Sequence, residues 1–108
     1  MVEADETREI ISKTDSNVGL LIDVAHLNVS ANTLAFSAKD YLIEFSQTAQ
    51  AYHLSDNLGL EDTNDPISHM SWFWPFISPD LDYYSLEIYN VSPEKLKSQL
   101  ALTQEYVN

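Results

Sequence analysis

The chain has 108 residues, 44% apolar and 11% aromatic, the composition of one small globular domain. A closed eight-stranded β/α barrel needs roughly 200 residues or more. Seventeen acids stand against five scattered cations (Arg8, Lys13, Lys39, Lys95 and Lys97), a net charge of −12, so neither a nucleic-acid groove nor an anionic membrane surface is expected as a partner.

Cysteine is absent, which excludes disulfides and thiolate chemistry. No apolar run reaches the roughly 18 residues of a membrane span. The start is acidic and polar, unlike a signal peptide, and a cytoplasmic location is expected.

Residues 4–15 predict a short helix. Acids crowd its first turn, where the helix dipole favours them, and Ile10 and Ile11 are its apolar positions. Asp15, Ser16 and Asn17 then break it. Residues 18–23 (VGLLID) run almost continuously apolar into a carboxylate, the pattern of a parallel strand buried on both faces. Residues 24–36, rich in Asn, Ser and Ala, are expected as a loop.

Ser37 is a natural N-cap for a helix to about Gln50, with Asp40 as a weaker capping-box acid. Tyr41, Leu42, Phe45 and Ala49 fall on one face of it. Residues 51–54 (AYHL) make a second short strand, followed by the polar turn Ser55-Asp56-Asn57. The segment 58–80 is expected as a long loop, ordered by the aromatics Trp72, Phe73, Trp74 and Phe76. These side chains suit packing better than the wall of an apolar pocket; exposed, they would serve an interface.

Residues 83–90 (YYSLEIYN) read as a third strand. Ser92-Pro93-Glu94 starts a last helix to about Tyr106, with Leu96, Leu100 and Thr103 on one face. The order expected is α-β-α-β-α-β-α: an α/β chain of about three parallel β/α units with right-handed crossovers, forming a single domain over 1–108. In such sheets the ligand site lies beyond the carboxyl ends of the strands.

That rule selects candidates. Asp23 ends the first strand and His26 follows it; His53 and Asp56 sit at the end of the second; Glu87 is placed in the third. Carboxylate oxygen and imidazole nitrogen suit Mn²⁺, Mg²⁺, Co²⁺ or Zn²⁺. Glu87 between Leu86 and Ile88 would be costly inside a strand unless paired or metal-bound. Singly, each has a plainer reading: Asp23 as a cap, His26 as a loop histidine, His53 as a satisfied core histidine, Asp56 as a turn residue, Glu87 as a partner of lysine. His69 has no such company and reads as surface or structural.

The stretches LLIDVAHLNVSAN, YHLSDNLGLEDTNDPIS and SLEIYN together resemble the last three strands of the xylose-isomerase-like TIM barrels. That superfamily includes sugar isomerases and epimerases and the endonuclease IV group of abasic-site nucleases. The resemblance implies a partial (β/α) TIM barrel in which Asp23, His53 and Glu87 are metal ligands. It implies that Glu87 is also the catalytic acid/base, and that His26 binds substrate or, in multi-metal members, a second metal. Asp56, at the turn beyond the second strand, is a further candidate for touching the substrate.

Asp62 matches the Asp of the family's D-x-H-x-x-I-G segment. Asn64 stands where its His would be, which speaks against the trinuclear zinc site of the nucleases. Nothing here matches the first five strands, which supply a second acid/base glutamate.

The function implied first is the C-terminal part of a divalent-metal-dependent sugar or sugar-phosphate isomerase or epimerase. A non-catalytic half-barrel is the alternative, closed by self-association into a homo-oligomer or by a complementing barrel segment. An abasic-site nuclease ranks last.

Overall fold

The computed structural model describes residues 3–15 and 17–107. In chain order it has α1 (Ala4–Lys13), β1 (Leu20–Asp23), α2 (Val24–Leu34), α3 (Ala38–Phe45), β2 (Ala49–Leu54), a 3₁₀ turn (Trp74–Phe76), β3 (Tyr83–Leu86) and α4 (Pro93–Tyr106). The three strands form one sheet in the order β1-β2-β3, parallel throughout. The chain is therefore α/β with a parallel sheet, as expected.

Several boundaries differ from expectation. α1 stops at Lys13, and Ser16 of the expected break lies outside the described residues. Ile10 is 57% exposed; α1 is held instead by polar side chains. Buried Thr7 Oγ1 lies 2.8 Å from the Tyr41 hydroxyl, and Arg8 reaches Glu44 of α3 and Asp5 of its own first turn.

The expected loop at 24–36 is largely a helix. Asp23 Oδ1 accepts the His26 backbone N–H at 2.9 Å and so caps α2. Val24, Leu27 and Ala31 supply a buried stripe at helical spacing, which outweighs the poor propensity of Asn and Ser. α2 ends at Ala35, whose φ of 58° is left-handed.

α3 is capped by Ser37 as expected, and Tyr41, Leu42 and Phe45 are buried. It ends at Phe45 and not near Gln50, so buried Ala49 belongs to β2.

The sheet has two unlike faces. Ile22, Tyr52 and Leu54 point into the core and are fully buried, with Tyr84 and Leu86 partly so. On the opposite face Leu21 is 45% and Tyr83 74% exposed, so the strands are not covered on both sides as their composition suggested.

The second crossover holds no α-helix, only the 3₁₀ turn within a long loop. Ile67, Phe73, Trp74 and Ile77 pack that loop into the core. Trp74 Nε1 donates to the Ser68 carbonyl at 2.7 Å, and its ring stacks on Tyr106 of α4 at 4.2 Å. Packing is thus the role of these aromatics.

α4 is capped by Ser92 as expected but turns a different face inward. Gln99, Leu102 and Thr103 are buried, while Leu96 and Leu100 are exposed. The Gln99 amide both accepts from Ile67 N–H (2.6 Å) and donates to Ile67 C=O (2.9 Å), and this pairing with loop backbone sets the rotation of the helix. Among the described residues no helix is long and apolar enough to cross a membrane.

Candidate functional site

Parallel register brings the strand-end residues onto one rung. Asp23 pairs with His53, and His53 with Ser85. In-register residues of parallel strands point to the same face, and so does a residue two further along. Glu87 follows Ser85 by two, so it shares the face of Asp23 and His53.

Glu87 lies just past β3, not inside the expected strand 83–90. Its N–H still donates to Leu54 C=O at 3.0 Å, which extends the ladder by one residue. Its side chain is 34% exposed, so the cost of burying a carboxylate among apolar neighbours does not arise.

The side chains form a continuous row that alternates carboxylate and imidazole. Asp62 Oδ2 lies 2.8 Å from His26 Nε2, and that nitrogen is 3.6 Å from Asp23 Oδ2. Asp23 Oδ2 is 3.8 Å from His53 Nδ1, which is 3.6 Å from Glu87 Oε1. The row spans the carboxyl ends of all three strands, on the sheet face that the helices leave open.

Two carboxylates and an imidazole, Asp23, Glu87 and His53, are a chemically suitable donor set for a divalent cation. As they stand, no group of three or more such side chains among the described residues could hold one. Their separations exceed the roughly 3.0–3.5 Å between ligand atoms that lie about 2.1 Å from one ion. His53 and Glu87 are each about one-third exposed, which leaves them freedom to approach.

Comparison of the chain with protein-family models, with curated proteins and with solved structures finds no match.

Asp56 has a structural occupation. Its Oδ1 accepts from Asn57 N–H and its Oδ2 from Ser71 Oγ at 2.6 Å, while its backbone pairs with Asp65 in both directions at 2.9 Å. His69 lies 2.7 Å from Glu105 on the exposed flank of α4, in keeping with a surface role. Asn64 adopts a left-handed φ of 52° and donates to the Glu87 carbonyl at 2.7 Å.

Sequence reasoning on strand ends left Asp62 out of the site. It comes from the loop after β2, and only the path of that loop carries it to His26. The sole signal was its match to the family's D-x-H segment.

Proposed function

We propose that the chain provides the C-terminal β/α units of a TIM-barrel enzyme of the metal-dependent sugar or sugar-phosphate isomerase and epimerase type. One observation carries the reading: Asp23, His53 and Glu87 stand side by side on one face, at the carboxyl ends of three adjacent parallel strands. That is where parallel α/β folds place their chemistry.

Asp23, His53 and Glu87 would hold the cation: Mn²⁺, Mg²⁺, Co²⁺ or Zn²⁺. A cation there would polarise a substrate carbonyl and lower the barrier to removing the neighbouring proton. Glu87 is the group that takes the proton. His26, half-exposed beside Asp23, binds a substrate hydroxyl. Return of the proton to the adjacent carbon requires a second acid/base, which complementing strands would supply.

Isothermal titration of the full chain with Mn²⁺ tests this. One ion per chain is expected, with affinity falling tenfold or more in His53→Ala and in Glu87→Ala. Absence of binding would remove the enzymatic reading.

The open face supports a second reading. Exposed Tyr83 and Leu21, together with the outer edges of β1 and β3, which pair with no further strand among the described residues, suit a non-catalytic half-barrel that works through association. Sedimentation showing an assembly in a chain that binds no metal would favour it.

A further inference from the structure

Three of the chain's five cations are used within the fold. Arg8 pairs with Asp5 and Glu44, Lys13 pairs with Glu9, and Lys39 lies over the Phe76 ring at 5.5 Å. Lys95 and Lys97 make no ion pair or ring contact among the described residues. They flank Leu96 on α4, and Leu96 with Leu100, one turn on, forms an exposed apolar pair.

A surface of the opposite sign carries the most exposed leucines of the described residues. Leu58 is 90% and Leu60 78% exposed, and Glu61, Thr63 and Asp65 line the shallow groove beside them. Residues 40–94, which include this loop, hold ten acids and neither lysine nor arginine. We propose that this loop docks on α4 of a second copy of the chain, with Leu58 and Leu60 against Leu96 and Leu100, and Glu61 and Asp65 facing Lys95 and Lys97.

The loop is built to hold its leucines out. Asn57 Oδ1 accepts from Gly59 N–H at 2.8 Å and from Asn28 Nδ2 at 3.0 Å, and Asn32 Nδ2 donates to Gly59 C=O at 2.7 Å. Asn57 and Gly59 are buried, so the leucines that alternate with them are left outward. Gly59 turns at φ +84°, which a residue with a Cβ resists. The Asp56–Asp65 backbone pair closes the base. A loop fixed before contact loses little freedom on docking. Apolar side chains held in water by such a backbone gain by being covered.

Charge selects the occupant. On a chain of net −12, acidic surface repels acidic surface, and the patch that carries Lys95 and Lys97 is the one suited to meet this loop. That patch also supplies leucines, so the contact has an apolar centre and a charged rim, as association surfaces do. It uses neither Asp23, His53 and Glu87 nor the sheet margins, and so stands apart from both readings of function.

Sedimentation velocity of the full chain over a wide range of concentration tests this, at about 0.15 M salt, where a screening length of roughly 8 Å removes the long-range repulsion. The wild type should associate reversibly. Glu61→Lys and Lys97→Glu should each weaken association by about tenfold, and so should Leu58→Ser/Leu60→Ser. An equal mixture of the two charge variants should regain most of the lost affinity, because each then meets the other through opposite charges. A variant that had merely lost its fold could not be rescued in this way.

A wild type that stays monomeric throughout would overturn the proposal and leave the leucines to a cationic partner of another sequence. So would association that ignores the charge variants, or a mixture that recovers nothing. Tyr83→Ser separates the routes: it should leave this contact intact. Loss of association in that variant alone would put the joint on the open sheet face, against this proposal and in favour of the half-barrel reading.

Discussion

Asp23 does two things with one carboxylate: Oδ1 caps α2, and Oδ2 faces His26 and His53. The two can be separated. Asp23→Asn keeps a capping oxygen, so stability in urea should stay within about 0.5 kcal/mol while Mn²⁺ binding weakens. Asp23→Ala should lose the binding and, in addition, about 1 kcal/mol of stability. Equal stability of the two variants would mean that the cap contributes nothing. Tyr41 makes a different prediction. Burial raises its phenol above the ordinary value of 10.0, against the lowering effect of its hydrogen bond to Thr7, and the charge of Glu44 adds to the rise. The unfolded phenol ionises first as pH rises. The stabilisation is therefore whole below pH about 10 and is lost as pH climbs through the raised folded value. Tyr84 is shifted upward by burial as well. Urea midpoints should fall above pH about 10, less steeply in Tyr41→Phe; parallel slopes would sink the assignment. Asp23 was legible as a strand end because it closes an apolar run, whereas His53 lies one residue inside β2 and Glu87, expected within a strand, falls just past β3. Asp62 was not, because no local pattern states where a loop will lean.

Elements built on strong local signals emerged as read. The Ser37 and Ser92 caps open α3 and α4, and the apolar runs expected as strands at 18–23 and 51–54 fall in β1, which starts at Leu20, and in β2, which starts at Ala49. α2 was hidden because its signals are tertiary. Its stripe of Val24, Leu27 and Ala31 is sparse, and its cap is also a site residue. The burying face of α4 was misassigned because a glutamine, not a leucine, ties it to the loop. α2 also carries a testable strain. Ala35 closes it at φ 58°, where a Cβ is disfavoured and glycine is not. Ala35→Gly should therefore stabilise the chain by about 0.5–1 kcal/mol, offset in part by the freedom that glycine adds to the unfolded state. A drop in the urea midpoint would mean that the Ala35 methyl contributes more than the strain costs.

Over the whole molecule the dominant force not matched by contacts is charge. A net −12 sits on a body of 43 × 30 × 21 Å. At about 0.01 M salt the screening length is roughly 30 Å, so the acids repel one another across the entire fold; at about 0.15 M it is roughly 8 Å. The thermal midpoint should rise between these concentrations, measured by circular dichroism, and a flat response would show the repulsion to be already relieved. The sheet has a further consequence. Its strands all run the same way, so its two margins are unlike: β1 lies at one and β3 at the other. Continuing the sheet in parallel from copy to copy must join the β3 margin of one to the β1 margin of the next. Such a joint is directional. It repeats around a ring until the ring closes, or it runs on as a filament, and the sheet's twist and curvature decide which.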